Sequence, residues 1–166
     1  MAPVAELTGL SEADLAVWRG FASMRRHLDR AVEVRLQHDA GVSTPEFEVL
    51  LALSRADRSR LRAGALADAL CWEKSRISHQ VSRMVARGLL ERTECPTDAR
   101  GTWVVLAEAG AAALAVATCG YVDVLRRTFF DVLRPDEKRA LSDAAARVSA
   151  AGAEPDGSAA SVAATG

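Results

Sequence analysis

Apolar residues recur at helical spacing along most of this chain, and the spacing changes to an alternation in one place only. Leu15, Trp18, Phe21, Met24, Leu28, Val32 and Leu36 follow one face of a helix that Ser11 can cap and Gly41 ends. At 1.5 Å per residue such a helix runs roughly 40 Å. That exceeds the needs of one small domain, so its far end is expected to pack on a second copy of the chain. Ser43-Thr44-Pro45-Glu46 is a strong start for a second helix, a cap hydroxyl followed by proline in the first turn. Phe47, Val49, Leu50 and Leu53 supply its inward side. A polar, basic connection over 55–60 follows. A short third helix then covers 62–70, with Leu66, Ala67 and Leu70 inward, and Cys71 and Trp72 form a tight turn.

The fourth helix, 73–87, carries the most telling pattern. Ile77, Val81 and Met84 fall in one narrow arc and face the core. Ser75, His79, Ser82, Arg83 and Ala86 lie opposite, with Arg76 and Ser78 on the flanks. Gly88 stops the helix, and Leu89 and Leu90 lead into the alternating segment. A two-stranded ribbon is expected there, 90–94 outward and 102–106 back, with a turn through 95–101 that carries Asp98 and Arg100. A fifth helix from 108 to 133 carries Leu114, Val122, Leu125, Phe129 and Val132 near one stripe, and Gly120 weakens it midway. Arg134-Pro135-Asp136-Glu137 opens a sixth helix, with acidic residues at the positive end of its dipole and Leu141, Ala145 and Val148 inward. From Gly152 the chain is mostly Ala, Ser and Gly with one Pro, a composition expected to be a disordered tail.

The elements therefore predict a mainly α fold with a small β-wing: a winged helix-turn-helix of six helices, with dimerisation helices from both termini. Residues 11–40 and 108–151 are assigned to dimerisation, 43–107 to a DNA-binding region, and 152–166 to the tail. Charge supports the division. The net charge is −1, which excludes a globally basic nucleic-acid binder. Residues 55–100, however, hold ten basic and six acidic groups, a local +4 on the segment that carries the motif.

A recognition helix wants short polar residues at its N-terminal end, which let the backbone approach base edges, and donors that enter the groove. Arg76 can be bidentate to guanine. Ser75 and His79 can reach bases or phosphate, and Lys74 with the helix N-terminus suits a backbone phosphate. Ser78, Ser82 and Arg83 complete the exposed face. Arg100, at the wing tip, suits a narrow A·T-rich minor groove, and Asp98 can brace its guanidinium or the turn.

On these residues the chain resembles the MarR family of bacterial transcriptional regulators. The resemblance runs from about Leu15 to Val148. It rests on Leu66-Ala67-Asp68-Ala69-Leu70, on the run Lys74 to Val81, on Arg87-Gly88-Leu89 and on the wing signature Asp98-Ala99-Arg100-Gly101. It implies a homodimer that binds a palindromic operator in double-stranded DNA, usually as a repressor, and that a small aromatic effector often releases; the lack of a targeting signal makes a cytoplasmic location the expectation. It places an effector pocket between the dimer helices and the winged region, with Trp18, Arg25 and Tyr121 as candidates and Arg19, Phe21, His27 and Arg126 nearby. Two positions depart from the family pattern: Ala107 replaces the hydroxyl that caps the fifth helix, and Arg134 the one that caps the sixth.

The remaining signals narrow the function classes. There is no nucleophile motif, phosphate loop or metal-ligand spacing, so no enzyme, cofactor or metal site is expected. His27 and His38 lie eleven residues apart on one helix and cannot share an ion. Cys71, Cys95 and Cys119 form no framework and suggest reduced thiols, with Cys71 buried in an apolar run and Cys95 on the wing. The start lacks a basic and apolar leader, and the uncharged stretch 109–122 is shorter than the ~20 residues of a membrane span, so no membrane partner is expected. Apart from a DNA-binding regulator, a winged-helix module for protein–protein assembly without an operator fits the same elements. The local positive charge and Arg100 favour the regulator.

Overall fold

The computed structural model describes residues 9–95 and 98–153; within the wing, the side chains of 95 and 98–101 lie outside the description. Six α-helices and three short strands follow one another as α1 (Glu12–Ala40), α2 (Thr44–Arg55), β1 (Arg60–Arg62), α3 (Ala63–Leu70), α4 (Lys74–Ala86), β2 (Leu90–Cys95), β3 (Asp98–Leu106), α5 (Glu108–Leu125) and α6 (Pro135–Ala153). The chain divides into two compact units, the first ending in sequence at Arg126 and the second beginning at Arg127.

The first unit is built around α2. Val49, Leu50 and Leu53 are fully buried there, with Phe47 close behind. Leu66 and Ala67 of α3, Ile77, Val81 and Met84 of α4, Val104 of β3, and Leu114 and Ala117 of α5 close over them. The C-terminal half of α1 joins this core through Val32 and Leu36. Helix starts follow local chemistry. Ser43 and Glu46 form a reciprocal capping box on α2, with proline in the first turn. Ser11 accepts the Asp14 backbone N–H at 3.1 Å at the start of α1. Gly88, at φ +72°, takes the left-handed conformation that ends α4 and lets Leu89 N–H reach the Met84 carbonyl at 2.9 Å.

The sheet is antiparallel in the order β1–β3–β2. Strand β1 corrects the expectation of a plain connection over 55–60 that runs straight into a helix at 62. Arg60-Leu61-Arg62 pairs with Val105, Val104 and Trp103, after a 3₁₀ turn in which Arg58 and Ser59 adopt positive φ. Three residues with one apolar side chain are too short to carry a visible alternation. The wing differs as well. Pairing persists from Leu90↔Leu106 to Cys95↔Asp98, with an irregularity after Glu94. Glu94 opposes Thr102, so Ala99, Arg100 and Gly101 form a bulge within β3 and are not part of a hairpin turn.

Helix α5 ends at Leu125 and passes into a π-helical segment, Arg126–Phe130, where one continuous helix to 133 was expected. The run Glu108–Phe130 is, by length and composition, apolar enough to cross a membrane, contrary to the shorter estimate from its uncharged stretch. Its buried Gly110, Leu114 and Ala117 line a helix face packed in the core. Ala107 caps α5 without a side-chain hydrogen bond.

In the second unit, α6 continues through Gly152 to Ala153, past the point where the tail was expected to begin; 154–166 lie outside the described residues. The missing hydroxyl at Arg134 is offset by Glu137, whose carboxylate accepts the Arg134 N–H at 2.8 Å and its guanidinium at 2.7 Å. Leu141 is half-buried, while Ala145 and Val148, expected inward, are exposed.

Candidate nucleic-acid interface

Helices α3 and α4 meet at a turn made by Cys71, which adopts φ +52° and closes α3 through its backbone N–H. The Trp72 N–H reaches back to the Ala67 carbonyl at 2.9 Å. Helix α4 then begins at Lys74 with no side chain capping its first turn. Its free N–H groups and dipole leave an electropositive end. Lys74, Ser75, Arg76, Ser78, His79, Ser82 and Arg83 are all exposed, and Ile77, Val81 and Met84 all face the core, as the periodicity required.

Within that face the side chains are not equivalent. The Arg76 guanidinium lies over the Trp72 ring, 3.7 Å from its centroid. Ser82 Oγ donates to the Ser78 carbonyl at 2.8 Å and accepts from Arg92 Nη2 at 2.9 Å, so both its roles are used inside the protein. Arg83 donates to Gln80 Oε1, and Gln80 is buried. Lys74, Ser75 and His79 keep their polar atoms outside the hydrogen bonds of the described residues, while Arg76 offers its edge.

Two residues went unnoticed in the sequence. Arg92 leaves β2 on the same side as Leu90 and arrives beside α4; the strand alternation that places Leu90 in the core could have found it. Trp72 was read only as part of a turn, yet it carries Arg76. The other side of the sheet holds a second basic–aromatic cluster, Arg60 and Arg62 at 4.7 and 4.8 Å from the Trp103 ring centre. Asp98 and Arg100 are placed on β3 by their backbone, and their side chains lie outside the described residues.

One buried carboxylate ties this surface to the scaffold. Glu46 accepts the Ser43 N–H at 2.8 Å with one oxygen and Arg87 Nη1 at 2.5 Å with the other. Arg87 also donates to the Gly41 carbonyl at 2.8 Å. Near Arg76, burial pushes the Glu48 carboxyl above its ordinary pKa; the Arg76 charge pulls it down and Asp29 pushes it up.

The three effector candidates do not converge within one chain. Trp18 and Arg25 are exposed on α1, seven residues apart and so on one face. Tyr121 is half-buried and stacks on Phe47, ring centres 4.7 Å apart. Its neighbour Gly120 abuts Arg35 and Asp39, at the opposite end of α1 from Trp18. Trp18 and Phe21 are not core residues among the described residues: their exposures are 56% and 45%, and their ring centres lie 6.0 Å apart. Cys71, expected to be buried, is exposed, as is Cys119; the side chain of Cys95 lies outside the described residues.

Comparison with known proteins agrees with this geometry. The family model described as the MarR family matches residues 40–101. Among solved structures, AbsC, a MarR family transcriptional regulator from Streptomyces coelicolor, is 32% identical, with 86% of this chain and 95% of that chain covered and a TM-score of 0.80. Sco3205, a MarR family regulator from the same organism solved in complex with DNA, is also 32% identical, with 91% and 94% covered and a TM-score of 0.81. A mutant MarR from E. coli complexed with operator DNA shares the fold at 22% identity, with 85% and 99% covered and a TM-score of 0.73. No curated protein matched the chain. The exposed face of α4, the adjoining wing and these likenesses over nearly the whole chain agree: this protein belongs to the MarR family of transcriptional regulators.

Proposed function

We propose that the chain acts as a homodimer on a palindromic operator, with α4 in the major groove and the β2–β3 wing in the adjacent minor groove, and that it represses transcription there. The observation that carries this reading is the exposed face of α4: seven polar or cationic side chains opposite a fully buried stripe, continued onto the wing by Arg92. Arg76 is assigned to a guanine edge. Ser75, Ser78 and His79 take bases or phosphate, and Lys74 with the helix N-terminus takes a phosphate. Ser82 and Arg83 act at the groove wall, where Arg92 joins them. Arg100 is assigned to the minor groove, and Asp98 to bracing that guanidinium or the turn.

Residues 43–107 form the DNA-binding region in this reading, and 11–40 and 108–151 supply dimerisation. Support for the dimer comes from Leu10, Val17, Trp18 and Phe21, large apolar side chains left exposed on or just before the free half of α1. Release by a small aromatic ligand extends the same proposal. Its support is the exposed Trp18 and Arg25 on one face of α1, an aromatic surface beside a cation. A gel shift of the full chain on the DNA upstream of its own coding sequence tests the reading. One retarded species at dimer stoichiometry, competed by a palindrome from that DNA and not by unrelated duplex, is the expected result. Equal competition by every duplex would end the operator assignment.

A further inference from the structure

We propose that Trp72 is a positioning residue for base recognition, holding Arg76 in the orientation in which it meets the operator. The inference rests on the assignment of Arg76 to a base edge. Trp72 is anchored from both sides. Its backbone is fixed by the Cys71 turn and the bond to the Ala67 carbonyl, and its ring packs against the core. Arg76 lies in the first turn of α4 and is exposed, so nothing in the core requires it. Among the described residues the one close partner of its guanidinium is the Trp72 ring, at 3.7 Å.

Stacking and base reading use different parts of a guanidinium. The ring attracts its face, while the five N–H donors point outward in its plane. None of those donors makes a hydrogen bond among the described residues, so a stacked Arg76 keeps its whole fork for a guanine O6 and N7. An unsupported arginine would lose several rotatable bonds on binding; one already laid on an indole loses fewer. Indole is the strongest aromatic partner for a cation, and the turn offers no other ring here.

The test is a double-mutant cycle read as discrimination, not as affinity. The full chain and its Arg76→Ala, Trp72→Phe, Trp72→Leu and Trp72→Leu/Arg76→Ala variants are titrated against the operator duplex and its single base-pair variants. Arg76→Ala should lose about fivefold or more in discrimination at one base pair per half-site. Trp72→Leu, which fills the space without a ring, should lose about two- to fivefold at the same base pair. Trp72→Phe should recover part of that, and Trp72→Leu should change nothing further once Arg76 is gone. If Trp72→Leu weakens every duplex equally in both backgrounds, Trp72 only shapes the turn and the proposal is overturned. If Arg76→Ala leaves discrimination intact at every position, the base-edge assignment itself fails and takes the positioning role with it.

Discussion

Arg87 and Glu46 are forty-one residues apart in sequence and 2.5 Å apart in space. Glu46 is almost wholly buried, so its second oxygen would be an unpaired buried acceptor without Arg87. The same arginine holds the Gly41 carbonyl, and the same carboxylate caps α2 through Ser43. The ends of α1 and α4 and the start of α2 therefore share one ion pair, just behind the recognition surface.

Arg87→Ala should lower unfolding stability by about 2–3 kcal/mol, less than a fully buried pair because the guanidinium is half-exposed. Urea denaturation of Arg87→Ala, Glu46→Gln and the double variant checks it. Costs that simply add would show that the two residues do not act together.

Gly120 offers a second test, in which packing opposes propensity. In an α-helix interior, Gly→Ala ordinarily gains about 0.8–1 kcal/mol. Here a Cβ on Gly120 would collide with Asp39 Oδ2 and press on Arg35, which are themselves paired at 2.5 Å. The colliding atom is the end of a movable side chain, so Asp39 must swing aside and loosen its pair with Arg35, and Gly120→Ala should gain clearly less than about 0.8–1 kcal/mol. A full gain of that size in urea denaturation would mean that α1 and α5 are not in close contact at this point.

How far the chain's folded form could be read in advance depended on how local each signal is. Ile77, Val81 and Met84 declare the buried side of α4 by spacing alone, and the polar face follows from it. Ser43 and Glu46 announce a helix start because both halves of a capping box lie within four residues. That the same Glu46 also anchors Arg87 is invisible at that range, since nothing nearby in sequence links them. Arg60-Leu61-Arg62 becomes a strand only because β3 lies beside it. Trp18 and Phe21 have core spacing and yet are exposed among the described residues, because spacing shows that a face is apolar and not what covers it. The Arg76–Trp72 stack depends on the turn geometry at Cys71, a left-handed residue that is not glycine and gives no warning in the sequence.

Glu48 should betray its environment through pH. Burial, and then Asp29, raise its pKa in the folded chain above the unfolded value, against the pull of Arg76. For an acid shifted upward, the folded state binds the extra proton, so stability is highest below the unfolded pKa and declines as pH rises through the folded one. Glu48→Gln removes the charged form. It should melt higher than the parent at pH 7 and lose that advantage below the ordinary glutamate range. Removing a negative charge beside Arg76 should also tighten DNA binding at low salt. A variant no more stable than the parent at neutral pH would show that Glu48 carries no folding penalty there.

The free half of α1 should behave as half of an interface. Trp18→Asp puts a charge into an apolar surface that the proposed dimer would bury, and desolvating that charge should drive the chain toward monomer. Sedimentation equilibrium at micromolar concentration reads this directly: dimer for the parent, monomer for the variant, with α-helical content preserved. A parent that is itself monomeric would remove the need for a palindrome.

The wing and the recognition helix should fail in different ways, because they meet different properties of DNA. Arg100 lies in the bulge of β3, between Asp98, which opposes Cys95, and Thr102, which opposes Glu94. A cation carried there suits the enhanced negative potential of a narrow minor groove, and A·T-rich flanks are where that groove narrows most. Arg100→Ala should therefore weaken binding mainly to operators with A·T-rich flanks and flatten the salt dependence of affinity, since one fewer cation displaces counterions per subunit. Arg76→Ala should instead relax discrimination at one base pair by ~1–3 kcal/mol on every flank. Neither change touches the buried stripe, so both variants should remain folded and dimeric. If Arg100→Ala binds all flanks as tightly as the parent, Asp98-Ala99-Arg100-Gly101 contributes strand geometry alone, and the minor-groove contact belongs to another residue.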